Sequence, residues 1–175
     1  RQPERADSGD ALRHVPDVMR MRIALAAALL LSAPVVAAPT SAATSVEDTA
    51  VLAVITDWFG AMRAKDRPAF EALMQADSTF IAMRQTADGW TQARRNRSEL
   101  VDTLLTKPGE IIERFIEHPT VLVHGPIATV WGRYEIGIDG KRLHCGVDSF
   151  SLIKDGASWK IATASWTIEP EGCPK

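Results

Sequence analysis

Only two cysteines occur in the sequence, Cys145 and Cys173; neither lies in a CxxC pair, and no HxxxH is present. Two distant thiols without paired histidines lack the ligand spacing of a metal site, so no metal is expected. A P-loop, a dinucleotide-binding glycine pattern and a GxSxG elbow are also missing, which removes three familiar routes to phosphate, dinucleotide and acyl chemistry. No cofactor is expected. Positive charge is not in excess either: 20 Lys and Arg against 22 Asp and Glu leave a formal net charge of -2. A chain so balanced has no general attraction for nucleic acid or for an anionic membrane surface, and neither is expected as a partner.

No apolar run is long enough to suggest a permanent membrane span. The stretch from Ile23 to Leu31 falls short of the roughly 20 residues that cross a bilayer. It sits instead between Arg20 and Arg22 on one side and Pro34 with small residues through Ala43 on the other, the layout of a secretory signal peptide. Residues 19–43 are therefore expected to be a leader, with cleavage after Ala37 or Ala43. Residues 1–18 are expected to be a disordered or non-native extension, translation starting at Met19 or Met21. The mature domain is 44–175. An Ala-rich leader of this kind points to a periplasmic or secreted protein with no stable membrane association once the leader is removed. An oxidising compartment allows Cys145 and Cys173 to pair; unpaired, Cys145 is an ordinary buried apolar residue.

In the mature chain, Ser45 can cap a helix reaching about Ala64, whose apolar residues Val51, Leu52, Val54, Ile55, Trp58, Phe59 and Met62 share one face. Asp66 caps a second, shorter helix with Pro68 in its first turn and Phe70, Leu73 and Met74 inward. A strand is expected over 78–85 and a loop over 86–97. Ser98 is expected to cap a third helix ending near Pro108. Strands follow over 110–118, 120–124, 127–138, 141–153 and 158–168, divided by turn residues such as Asp139-Gly140 and Asp155-Gly156. Helices followed by a long antiparallel meander predict an α+β domain with helices on one face of a curved sheet.

"RLHCGVDSF", residues 142–150, puts a histidine, a cysteine and an aspartate on one strand. With a two-residue hairpin at Asp139-Gly140, Trp131 falls opposite Asp148, Arg133 opposite Gly146, and Glu135 opposite His144. That register gathers Trp131, Arg133, Glu135, His144, Asp148, Phe150 and Trp166 on one face around Gly146, Ala162 and Ala164. Val130, Tyr134, Ile136, Leu143, Cys145, Val147, Ile153, Trp159 and Ile161 take the other. The first set reads either as a recess with aromatic walls and a His/Asp pair for hydrogen bonding or proton transfer, or as cross-strand charge pairs of Arg133 with Asp148 and Glu135 with His144. Arg84 on the first strand points inward, toward an anionic ligand or into an ion pair with Glu113 or Asp57. Arg94, Arg95 and Arg97 beside Trp90 read either as a basic cluster holding a phosphate or carboxylate at a helix start or, more commonly for such clusters, as a solvated loop.

The element order and the segments "ATVWGRYEI", "HCGVDSFSLIKDG" and "SWKIATASWT" resemble the nuclear transport factor 2-like superfamily, in its bacterial SnoaL-like or lumazine-binding-like branches, over residues 46 to 170. The resemblance implies a cone of three N-terminal helices closed over a strongly curved antiparallel sheet, often homodimeric, with a pocket inside. In catalytic members, pocket carboxylates and histidines move protons at carbon next to a carbonyl. Carried over, this makes Asp148 the base, His144 its partner or acid, and Tyr134 a distant oxyanion candidate. The register above puts Tyr134 on the wrong face and offers no second acid. The leading expectation is an exported homodimer binding a small, partly apolar molecule through Trp131, Arg133, Phe150, Trp166 and Arg84. The alternatives are an isomerase, cyclase or dehydratase working through Asp148 and His144, and a non-enzymatic interaction module.

Overall fold

A computed structural model describes residues 45–173, which fall within one compact unit, Ser41–Lys175. The extension expected over 1–18 and the leader expected over 19–43 lie outside the described residues. Helix α1, Val46–Ala64, opens with a reciprocal cap: the Ser45 hydroxyl accepts from the Asp48 amide while the Asp48 carboxylate accepts from the Ser45 amide. Its buried residues Val51, Ile55, Trp58 and Met62 recur every three or four positions and form one stripe. Helix α2, Arg67–Ala72, is capped by Asp66 and buries Phe70. Met74, expected on that helix, is instead the first residue of a strand. The Ile161 amide donates to the Leu73 carbonyl at 2.8 Å, which ties this segment to the sheet one residue after the helix ends.

Seven strands follow around a third helix: β1 Met74–Thr86, β2 Gly89–Asn96, α3 Arg97–Leu105, β3 Ile111–Phe115, β4 Thr120–His124, β5 Ile127–Ile138, β6 Lys141–Asp155 and β7 Ser158–Ile168. They make one curved, open sheet in the order β2-β1-β7-β6-β5-β3, with β4 also paired to β5. Every pairing is antiparallel except β1 with β7, which runs parallel. The loop expected over 86–97 is largely strand β2. Its residues are almost all exposed and mostly polar, so it carries no alternating apolar signal; it is an edge strand whose charges keep other chains from pairing with it. The cap of α3 is Asn96 rather than Ser98, in a second reciprocal pair with Glu99. Among the described residues no helix is long and apolar enough to cross a membrane.

Two bulges set the faces of the sheet. Asp139 and Gly140, both at positive φ, close the expected two-residue turn and Ile138 pairs with Lys141. The pairing then slips: Gly137 faces Arg142 but Ile136 faces His144, leaving Leu143 as an extra residue. From there Trp131 faces Ser149 instead of Asp148, Arg133 faces Val147 instead of Gly146, and Glu135 faces Cys145 instead of His144. With Ile153 opposite Trp159 across the next turn, the sequence would put Asp148 opposite Ala164; instead Ile153 faces Lys160 and a second slip leaves Ala162 unpaired, and the two single-residue shifts together bring Asp148 opposite Trp166. One residue of shift exchanges the two sides of a strand. Tyr134 therefore shares the concave side with His144 and Asp148, while Trp131, Arg133 and Glu135 are on the convex side. The concave side and the helices enclose the core, in which the Trp58 ring packs tilted against Phe70 at 4.3 Å and edge-on against Phe150 at 5.9 Å between centroids.

Candidate functional site

Between the concave face and helices α1 and α3 lies a cavity of about 150 Å³, a volume that in an apolar protein core accommodates a benzene molecule. Trp58 of α1, Leu100 and Leu104 of α3, and Phe150 of β6 supply apolar wall. Asp148 and Glu113 bring carboxyl groups, Tyr134 a hydroxyl and His144 an imidazole. Strand alternation explains Glu113: Ile111 and Phe115 on β3 are packed into or against the core, so the residue between them at period two faces the same way. The bulge turns both Leu143 and His144 toward the cavity, although they are neighbours in sequence.

Asp148 dominates the chemistry of this space. It is 3% exposed, and its Oδ2 has no hydrogen-bond partner. A carboxylate stripped of water and partners is costly, so burial, reinforced by the neighbouring Glu113, pushes the Asp148 carboxyl well above its ordinary range. Burial likewise raises Glu113, to about 8. Two carboxyls sharing one poorly hydrated cavity cannot both ionise cheaply, and at neutral pH they present at least one O–H donor. Tyr134 is fully buried; desolvation and the charges of Asp148, Glu113 and Glu169 raise its phenol, with Arg84 opposing, so it stays protonated. It donates to the Thr167 carbonyl at 2.7 Å and lies 3.3 Å from His144 Nδ1. The phenolic proton goes to Thr167, so in its contact with Tyr134 the imidazole is the donor, through Nδ1. His144 is kept neutral: desolvation first, then Arg84 and Lys107, lower its pKa, against a hydrogen bond with the Cys145 backbone.

Of the residues singled out in the sequence, Asp148, His144, Phe150, Trp166 and Arg84 meet around the cavity. Trp131 and Arg133 do not, because the bulge at Leu143 moves them to the convex face. The charge pairs read from the sequence also dissolve: Glu135 binds Arg114 at 2.8 Å and Arg142 at 3.2 Å, not His144. Arg84 makes no ion pair with Glu113 or Asp57 among the described residues. Gly146 does not widen the recess. A Cβ there would lie 2.6 Å from Thr167 Oγ1 and 2.9 Å from the Thr167 carbonyl carbon, so the missing side chain admits the end of β7. Of the basic cluster, Arg95 reaches the cavity, since it pairs with buried Phe80 and shares its side of the sheet. Behind β6, Cys145 is joined to Cys173 by a disulfide with Cα atoms 5.6 Å apart, which fastens the C-terminal tail to the convex side. Among the described residues no three His, Cys, Asp or Glu groups could hold a metal ion together.

This architecture, three helices over a curved open sheet that holds a polar-lined cavity, is the nuclear transport factor 2-like fold. A nuclear transport factor 2-like superfamily protein from Salmonella enterica is similar at TM-score 0.59 and 15% identity, over 75% of this chain and 96% of that one. A nuclear transport factor 2-like protein of unknown function from Shewanella baltica matches at TM-score 0.55 and 15% identity, over 71% and 95%. A protein of unknown function with a cystatin-like fold from Nostoc punctiforme matches at TM-score 0.57 and 10% identity, over 73% and 95%. No protein-family model and no curated protein sequence matches the chain.

Proposed function

We propose that the protein binds a small, partly apolar molecule in this cavity, with a carbonyl or similar acceptor of the ligand taking a hydrogen bond from the carboxyl of Asp148. The observation that carries this reading is the orphaned, buried Oδ2 of Asp148 at the wall of a cavity that mixes apolar and polar side chains. A buried polar atom without a partner costs about 1–3 kcal/mol in folded proteins, and a site built for a ligand accounts for that cost. The test compares acetophenone with ethylbenzene, the same ring with and without a carbonyl, by calorimetric titration of the full chain. Wild type is expected to prefer acetophenone. Asp148→Val, close in size and apolar, is expected to lose that preference while gaining about 1–3 kcal/mol of stability. Equal affinity for both compounds in wild type would remove Asp148 from the site.

A second reading, proton transfer at carbon next to a carbonyl, is favoured by the placement of Tyr134 and Glu113 beside Asp148 and His144. In it the ionised member of the carboxyl pair takes the proton and the protonated one, with the cavity's other donors, holds the developing oxyanion. Deuterium exchange into the acetophenone methyl group, followed by NMR, checks it. Exchange that Asp148→Asn leaves untouched would exclude Asp148 as the base.

The reading places the protein in the periplasm or outside the cell, supported by the leader-like segment 19–43 and by the Cys145–Cys173 disulfide, a bond that persists in oxidising compartments. Two reactive thiols in the natively localised protein would contradict that placement. The reading also takes the protein to be a homodimer, supported by the apolar residues exposed on the convex face, Trp131 among them.

A further inference from the structure

The mouth of the cavity differs in character from its interior. Arg84 from β1, Arg95 from β2 and Lys107 just beyond α3 all line it. Arg84 and Lys107 are exposed and Arg95 is half-buried, whereas Asp148, Tyr134 and Phe150 are buried, so the cations mark the solvent end and the carboxyl the closed end. Among the described residues none of the three cations is in an ion pair. What sets them apart is their position, for they are the cations that line this cavity, brought to one opening from three different parts of the chain. The fields of Arg84 and Lys107 both reach His144. Three like charges brought to one rim repel one another, and an anion seated among them relieves that repulsion.

We propose, building on the reading of the cavity as a ligand site, that its occupant is a small organic carboxylate: a body of about one ring, an acceptor oxygen at the inner end against Asp148, and the carboxylate at the mouth against Arg84, Arg95 and Lys107. The dimensions agree. A cavity of about 150 Å³ holds one ring and a short substituent and leaves no room for a fused polycyclic body. The polarity agrees as well. Uncharged donors inside and fixed positive charge outside orient such a molecule in one direction, since its carboxylate could not enter beside Asp148 and Glu113 without losing its hydration next to like groups. Arginine adds geometric selection, because its planar fork can grip both carboxylate oxygens.

The experiment is a titration of the full chain with 4-acetylbenzoate and with acetophenone, which differ only by the carboxylate. Each exposed charge contact contributes modestly, and three together correspond to about tenfold tighter binding of 4-acetylbenzoate, a preference that shrinks as salt is raised. Arg84→Gln, Arg95→Gln and Lys107→Gln combined are expected to abolish the preference, while Arg133→Gln on the convex face leaves it intact. All four positions are at least partly exposed, and melting temperatures verify that the variants fold. If acetophenone binds as tightly as 4-acetylbenzoate, the anionic assignment is overturned and the cavity remains a site for neutral ligands. A preference that survives in the triple variant likewise overturns the assignment of the mouth. If neither compound binds at millimolar concentration, both this inference and the reading beneath it fall.

Discussion

Asp148 and Glu113 make the stability of the protein depend on pH, and the sign follows from their burial. Both are carboxyls whose folded pKa is raised, Glu113 to about 8, from unfolded values near 4. Below about pH 4 both states are protonated and the groups contribute no difference. Between about 4 and 8 the unfolded chain releases protons that the folded chain keeps, so stability falls as pH rises. His144 acts in the opposite direction: its lowered pKa means that the unfolded chain binds the proton more readily below about 6.5, so its contribution is lost as pH falls. Single variants separate the two effects. Glu113→Gln is expected to flatten the decline between about pH 7.5 and 8, where His144 is largely neutral in both states, as read from denaturant midpoints at each pH. A slope identical to wild type would show that Glu113 is ionised in the folded protein.

At the scale of elements, the close packing of β6 on the end of β7 is the sharpest constraint. Thr167 crosses Gly146 so tightly that its Oγ1 accepts from the Val147 amide at 2.8 Å, and its carbonyl accepts from Tyr134. Gly146→Ala is expected to cost about 1–3 kcal/mol, because the new Cβ meets the Thr167 backbone carbonyl as well as its Oγ1, and the backbone cannot turn away. Chemical denaturation measures it, and a neutral outcome would mean that the end of β7 at Thr167 yields freely. The same region explains what the sequence could and could not reveal. Helices α1 and α2 were legible because caps and a three-to-four apolar period coincide at Ser45, Asp66 and the Val51–Met62 stripe. The hairpin at Asp139-Gly140 was legible from its turn residues. The bulge at Leu143 was not, since an extra residue in an alternating strand leaves no mark of its own, and it alone decides that Tyr134 joins the cavity while Trp131 and Arg133 leave it. Strand β2 was hidden by its polar, edge composition, and with it the position of Arg95 opposite Phe80, on the cavity's side of the sheet. Glu113 carried a usable signal, a charge at an apolar period-two position between Ile111 and Phe115.

For the whole molecule, the convex face poses a question that the cavity does not answer. Leu122 of β4, Ile127 and Trp131 of β5 and Ile153 of β6 alternate with core residues and therefore emerge on that one side, 65%, 57%, 47% and 38% exposed. Scattered apolar residues need no explanation, but four on three adjacent strands, one of them tryptophan, form a contiguous patch of the sort that another protein covers. A second copy of the chain is the occupant we propose, since a sheet face can meet itself about a two-fold axis, where each residue of the patch finds apolar surface opposite. Tryptophan near the centre of such a contact carries a large share of its energy, and its loss there costs about 2 kcal/mol or more. Trp131→Arg is thus expected to weaken dimerisation by at least roughly thirtyfold while leaving the cavity and its ligand preference unchanged, because the side chain points away from Tyr134 and Asp148. Sedimentation equilibrium decides the matter: wild type at twice the chain mass and the variant shifted toward the monomer support the dimer. A wild-type protein that is monomeric at every concentration would assign the patch to a different partner.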